Sequence, residues 1–346
     1  MIFHLLSELK SSKSLDVLAI CLNEGVLADK LRSIGLELYV IPEDKYSVLG
    51  LLRLSNSMLE GRTINVIHSH RYKEHLLGLF LSMKLGMGRL VATMHGLSEL
   101  SEKRSRWDRF KTSCIHNAIL KHRFERVVAV SHNIKKTLIE EYGFPSEAVE
   151  VIHNGIPLPF ETTDNRISDR HVLHVGSVGR MVAVKGFVLF LEIAACILRQ
   201  DVNVVFSILG DGPLKNELNE KAKELRVADR VNFLPPVLDS GPFYNSIDIY
   251  LNTSFHEGIP LSILEAMAYM RPIVAPSVGG IPEIVDHEVT GILLGGRDPQ
   301  QYADACLMLL RAPILREKMG EAGRRTVAAR FSSAQMAANY QKLYEG

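Results

Sequence analysis

Short apolar runs alternate with longer amphipathic stretches along most of the 346 residues. VLAICL (17–22), LYVI (38–41), VIHSH (66–70), LVATMHG (90–96) and VVAVS (127–131) predict strands in the first half. VLHVGSV (172–178), VNVVFSILG (202–210), VNFLP (231–235), DIYLN (248–252) and PIVAP (272–276) predict strands in the second. Their near-continuous apolar character fits strands covered on both faces, and their spacing predicts βαβ units with parallel sheets. The polar, Pro-containing stretch PLPFETTDNRISDR (157–170) is the natural linker. FSSAQMAANYQKLYE (331–345) reads as a helix with Ser332 or Ser333 as a possible N-cap. The expected organisation is a first domain at 1–156, a second at 157–330 and a closing helix at 331–346. At the other end, Ile2, Leu5, Leu6 and Leu9 repeat at helical spacing, so residues 2–10 predict a helix.

The stretch HEGIPLSILEAMAYMRPIVAPSVGGIPE (256–283) carries the most chemistry. It places Glu257 and Glu265 eight residues apart across the start of an apolar-periodic helix marked by Leu261, Leu264, Met267 and Ala268. Pro260 suits the first helical turn, where a missing N–H is no loss. A helix start offers unpaired N–H groups and a positive dipole end, which suits phosphate. Eight helical residues rise ~12 Å, about the reach from a sugar across a diphosphate to a ribose. Upstream, Arg180 and Lys185 flank a loop that follows a predicted strand and ends at Gly186. Two such cations can grip both phosphates of a leaving nucleoside diphosphate, although as isolated residues they would read as solvated charge. Gly279 and Gly280 fit a turn where backbone comes close to something, or a purely structural turn.

Segment 256–283 resembles the E-x7-E signature of the family 4 retaining glycosyltransferases, which have the GT-B architecture. VGSVGRMVAVKGF (175–187) is similar to that family's basic phosphate loop. ILGDGPLKNEL (208–218), SIDIYLNTS (246–254) and HEVTGILLGGRDP (287–299) resemble further family segments in family order. RVVAVSHNIKKTL (126–138) and VIHNGIPL (151–158) resemble the end of the first domain and the interdomain turn. The resemblance implies that Glu257 contacts the donor sugar and that Glu265 accepts hydrogen bonds from the ribose hydroxyls. The backbone of Gly258, Ile259, Pro260, Leu261 and Ser262 would bind sugar and phosphate, and Arg180 and Lys185 the diphosphate. The family also places a histidine beside the transferred sugar, and His95, at a predicted strand end, matches it.

His68, His70, Arg71 and Lys73 close another predicted strand and form the expected acceptor side. A metal cluster of His68, His70 and His95 lacks a carboxylate or cysteine to complete it. No D-x-D triplet occurs, which fits a reaction needing no metal and no cofactor. The family usually has a strand and a Gly-rich loop before the helix at 2–10, and here both would lie upstream of Met1. The first sheet is therefore expected to lack a central strand. A late-assigned start, a fragment, or a shortened and inactive protein would each explain that.

Composition adds little. Net charge is +1, with the first 160 residues mildly basic, nine of the 13 histidines among them, and the rest mildly acidic, so no nucleic-acid partner is expected. The cysteines Cys21, Cys114, Cys196 and Cys306 are widely spaced, as reduced core residues of a cytoplasmic protein would be. The segment 102–126 holds eight Lys/Arg, three acids and the only Trp, Trp107. It reads either as a peripheral contact with anionic lipid or as a solvated helix.

The fold expected is α/β, of GT-B type: two Rossmann-like, doubly wound domains facing a cleft. The function expected is retaining, metal-independent transfer of a hexosyl group from a nucleotide sugar to the hydroxyl of a glycan or lipid-linked saccharide. An inactive nucleotide-sugar-binding protein and a nucleotide-sugar epimerase are the rival readings.

Overall fold

The computed structural model describes residues 1–12, 15–86, 88–96, 106–159, 172–200 and 202–346. The chain forms two compact units, one of Met1–Gly155 with Ser333–Gly346, the other of Ile156–Ser332.

In the first unit, β1 (Leu18–Cys21) pairs in parallel with β2 (Glu37–Val40). A separate parallel sheet holds β3 (Val66–Ser69), β4 (Arg89–Met94), β5 (Arg126–Ala129) and β6 (Val149–Val151), in that order. Among the described residues the two sheets share no ladder. β6 escaped the sequence reading because Val-Glu-Val is too short to show a period.

Residues 2–12 form a helix, as their spacing predicts. Its Leu5 and Leu9 are buried in one cluster with Val91 and Val128 from the sheet, with Ile152 just after β6, and with Met336, Tyr340 and Leu343 from the helix Ser333–Glu345. The last helix therefore belongs to the first unit. Ser333 does not cap it; it is a helical residue whose hydroxyl donates to Glu8 at 2.6 Å.

The second unit is a six-stranded parallel sheet. Its strands are β7 (Leu173–Val178), β8 (Val204–Leu209), β9 (Val231–Leu234), β10 (Ile249–Leu251), β11 (Ile273–Pro276) and β12 (Gly291–Leu294). β12 is the second strand that the apolar runs did not reveal. The spatial order is β12-β11-β10-β7-β8-β9. The chain thus winds outward from β7 in one direction and from β10 in the other. Neighbouring strands whose connections leave in opposite directions open a crevice at their carboxyl ends, where ligands bind in such sheets. The loops that follow β7 and β10 both emerge there. Helices Phe187–Leu198 and Pro299–Arg311 bury Phe190, Ile193, Tyr302 and Leu309 in the cluster that holds this sheet. No described helix is long and apolar enough to cross a membrane.

Candidate active site

After β7 the chain passes through Gly179 and Arg180, makes a single 3₁₀ turn at Ala183–Lys185, and enters the helix Phe187–Leu198. Met181 N donates to Asp211 O at 2.9 Å and Gly179 N to Leu209 O at 3.0 Å, so the end of β8 holds the loop. Arg180 is exposed and forms no ion pair with the described residues. Lys185 meets Glu257, Nζ to Oε1, at 2.5 Å. This pair is largely shielded, with the Lys185 and Glu257 side chains 23% and 12% exposed.

The loop after β10 brings Glu257 there. Ser254 Oγ donates to the same Glu257 Oε1 at 2.6 Å, and Ser254 N donates to Asn252 Oδ1. Thr253 Oγ1 donates to Lys185 O at 3.1 Å, and Phe255 N to Val184 O at 2.8 Å. The two loops therefore meet backbone to backbone, which requires Gly186: it sits at φ 61°, and a Cβ there would collide with Thr253 O. The turn after β11 approaches from a third side. Gly280 N donates to Glu257 O at 3.0 Å, and Gly279, at φ 55°, leaves no room for a side chain against that carbonyl. The close approach read from the glycine pair is thus to the backbone of Glu257.

Arg297 is a residue the sequence reading missed. Its guanidinium donates to Thr253 O at 3.0 Å and Ser254 O at 3.3 Å, and lies 3.6 Å above the Phe255 ring. It clamps the loop that carries Ser254 and Glu257. Nothing near residue 297 in sequence signals this, because the partners lie more than 40 residues upstream.

The helix carrying Glu265 runs Leu261–Ala268. Pro260 precedes it in an extended conformation, one residue earlier than the first-turn position its sequence suggests. Gly258, Ile259 and Pro260 are buried, and Leu261 and Ser262 half-buried. Glu265 Oε2 accepts from Tyr244 Oη at 2.7 Å. Tyr244 is fully buried and stacks on Tyr269, with ring centroids 5.6 Å apart, so it fixes the carboxylate from below. Tyr250 joins the two halves of the site. Its hydroxyl donates to Val178 O at 3.3 Å and is hydrogen-bonded to Ser262, and burial pushes its pKa up to about 12.

In the first unit, His95 follows β4, and His68 and His70 lie on and just after β3. His68 and His70 share a face, with ring centroids 4.2 Å apart. His70 Nδ1 lies 3.2 Å from His95 Nε2, and those rings are stacked. His68 uses both nitrogens on hydroxyls, Nδ1 with Tyr344 at 2.6 Å and Nε2 with Thr93 at 2.8 Å, which leaves it no lone pair for a metal. Burial pulls the pKa of His68 down to about 3 and that of His95 to about 4, and lowers that of His70 well below the usual value. These imidazoles are neutral at physiological pH. Arg71 is exposed, and Lys73 reaches Glu43 at 2.6 Å. Within the basic segment 102–126, residues 102–105 lie outside the described residues, and Arg106–Arg123 is a helix.

The profile described as Glycosyltransferase Family 4 matches residues 2–159, and that described as Glycosyl transferases group 1 matches residues 172–312. A D-inositol 3-phosphate glycosyltransferase of Paenarthrobacter aurescens is 30% identical over 292 residues, which is 78% of this chain and 69% of that protein. The chain belongs to the family 4, group 1 glycosyltransferases. The protein of the same description from Geodermatophilus obscurus is 33% identical over 226 residues, 60% of this chain, and the match spans about half of that relative, 49%. Among solved structures, Anabaena HepE in complex with UDP and glucose superposes with a TM-score of 0.85 at 20% identity, covering 99% of this chain and 95% of that one. A Rickettsia africae glycosyltransferase gives 0.81 at 17%, covering 99% and 93%. The fold is GT-B, with two Rossmann-like domains.

Proposed function

We propose that this glycosyltransferase moves a hexosyl group from a nucleoside-diphosphate sugar to an acceptor hydroxyl, with retention of anomeric configuration and without a metal ion. The observation that carries the reading is the meeting of Lys185 and Glu257 at 2.5 Å at the carboxyl ends of β7 and β10. It brings Lys185, the cation we assign to the diphosphate, and the first carboxylate of the E-x7-E pair to one point. The second carboxylate, Glu265, lies on the helix that follows the loop carrying Glu257.

Arg180 and Lys185 neutralise the diphosphate as the bond to the anomeric carbon breaks. Charge stabilisation of this kind is usually the largest catalytic contribution. Glu257 faces the sugar, where positive character grows, and Glu265, braced by Tyr244, takes the ribose hydroxyls. In this reading no side chain acts as a nucleophile: the acceptor oxygen attacks from the face that the diphosphate leaves, and its proton passes to the departing phosphate oxygen. His95 and the residues around it serve the sugar and the acceptor. HepE was crystallised with UDP and glucose, which makes uridine diphosphate sugars the first donors to try. The acceptor class proposed is a glycan or lipid-linked saccharide, with the basic segment 102–126 as the place to seek contact with an anionic membrane surface at the cytoplasmic face.

The test is a donor and acceptor panel with the purified protein, in chelator and with added magnesium or manganese, read by mass spectrometry for transfer and by proton NMR for anomeric and epimeric configuration. Transfer in chelator with the donor's anomeric configuration in the product is expected. Activity lost in chelator and rescued by metal would overturn the metal-free reading. An inverted product would overturn retention, and release of epimerised sugar nucleotide without acceptor would establish the rival enzyme.

A further inference from the structure

His70 was grouped with the acceptor-side residues, yet its ring is committed to its neighbours. It lies between two other imidazoles, 4.2 Å from His68 and 5.4 Å from His95 by ring centroids. His68 cannot turn, because Tyr344 and Thr93 hold its two nitrogens. Thr93 Oγ1 is in turn 2.9 Å from Tyr340 Oη. Two tyrosines of the last helix, Ser333–Glu345, thus anchor His68, and His68 backs the ring of His70. On its far side His70 Nδ1 lies 3.2 Å from His95 Nε2.

A neutral imidazole carries one N–H, so two neutral rings that share a hydrogen bond have linked tautomers. Whichever ring donates, the Nε2 of His95 is occupied and its Nδ1 is the nitrogen left for a ligand. If His70 donates, His95 carries its proton on Nδ1 and offers a donor. If His95 donates, Nδ1 is a bare acceptor. Either arrangement links the tautomer of His95 to that of His70 and leaves Nδ1 for a ligand, whereas a lone neutral histidine could offer either nitrogen.

We propose that His70 is a positioning residue that holds His95 in a single ring orientation with its Nε2 occupied, presenting Nδ1 to a sugar or acceptor hydroxyl. The proposal deepens the functional reading above and rests on His95 touching the substrate, while its first test does not depend on turnover. The burial that keeps all three rings neutral supports it, since a charged ring would donate from both nitrogens and erase the distinction.

The experiment compares the full chain with His70→Phe and His70→Asn. Phe keeps the stacking surface and removes the hydrogen bond. Asn places an amide that can donate or accept near the former Nδ1. Ring-nitrogen NMR of the ligand-free, histidine-labelled proteins reads the tautomer of His95, assigned with a His95→Gln control. A hydrogen-bonded Nε2 on His95 is expected in the parent and in His70→Asn, and in His70→Phe a tautomer balance shifted toward that of a free imidazole. In transfer assays His70→Phe should lose about tenfold in kcat with KM for the donor little changed, and His70→Asn should recover most of it, the factor being that of one oriented hydrogen bond. An unchanged tautomer in His70→Phe overturns the positioning role whatever the activity. A shifted tautomer with unchanged kcat on an active enzyme overturns the link to catalysis. Absence of transfer in the parent protein, with the tautomer responding as expected, overturns the functional reading and leaves the His70–His95 coupling standing.

Discussion

Gly279→Ala tests the claim that the turn after β11 fixes Glu257. At φ 55° an alanine sits in the left-handed region, which costs roughly 1–2 kcal/mol. The added Cβ would fall 1.9 Å from Glu257 O, against a practical minimum of 3.0 Å, so the carbonyl and the methyl must part by about 1 Å. The clash is with backbone, so no side-chain rotation relieves it. The same carbonyl accepts from Gly280 N, and the same residue holds Lys185 and Ser254 through its carboxylate. A shift of about 1 Å in a catalytic group can cost on the order of 100-fold in rate. The variant should therefore stay folded, with its melting midpoint lowered by a few degrees, and lose about two orders of magnitude in kcat. Its affinity for nucleoside diphosphate, measured by titration calorimetry, should change much less. Gly61→Ala is the control: it lies at φ 76° with nothing within 4 Å of a new Cβ, so it carries the backbone strain without the clash. A folded Gly279→Ala protein with wild-type kcat, or a loss matched by Gly61→Ala, would refute the reasoning.

Lys185→Ala should cut turnover by about 100-fold or more while weakening nucleoside diphosphate binding less, because its charge matters most as the diphosphate leaves. Steady-state kinetics beside calorimetry would reject this if only the Michaelis constant moved. Tyr244→Phe removes the bond that steadies Glu265 and should raise the donor KM by roughly 3–10-fold with little change in kcat; a kcat effect alone would contradict a ribose role for Glu265. The buried histidines make an acid-labile first unit. His68 and His75 titrate at about 3, and His95 and His116 at about 4, all lowered chiefly by burial. Below about pH 6.5 the unfolded chain takes up protons that the folded chain refuses, so stability is full above that pH and falls as the pH drops. Between pH 7.5 and 5.5 each such group costs up to about 1.4 kcal/mol, and a thermal midpoint that stays flat over that range would disprove it.

The elements with a strong period were legible in the sequence. The helix at 2–12 rests on Leu5 and Leu9, both buried, and ten of the strands coincide with apolar runs. β6 and β12 were not legible, because three or four residues show no alternation of their own and are strands only through their neighbours. In the site, the E-x7-E spacing and the basic loop gave the residue types, while the contact between Lys185 and Glu257 depends on the order β10-β7 and cannot be read from a spacing. Arg297 and Tyr244 act on Glu257 and Glu265 from loops and helices far along the chain. The union of His68 with Tyr344 spans 276 positions. Lys73, read as an acceptor-side cation, is paired with Glu43, a partner 30 residues earlier.

The two units hold their polar residues in opposite electrostatic conditions, and each condition suits one half of the proposed reaction. In the second unit the charges are retained: Lys185 and Glu257 neutralise each other while largely shielded from solvent, and Arg180, in the same loop as Lys185, is exposed. On the proposed reading, a doubly charged diphosphate entering there would meet two cations, and the carboxylate displaced from Lys185 would be the one assigned to the sugar. Such a counter-ion exchange would release Glu257 as a donor arrives, without leaving a charge buried alone, which would be costly. In the first unit burial removes charge. The imidazoles of His68, His70 and His95 stay neutral and bind one another or hydroxyls. A neutral, desolvated imidazole is a poor phosphate ligand and a good partner for an uncharged hydroxyl, since it neither attracts the diphosphate nor pays to lose a hydration shell. On the same reading, phosphate would go to residues 179–186 and 257–265, and sugar or acceptor hydroxyls to the histidines, a sorting that burial and charge favour.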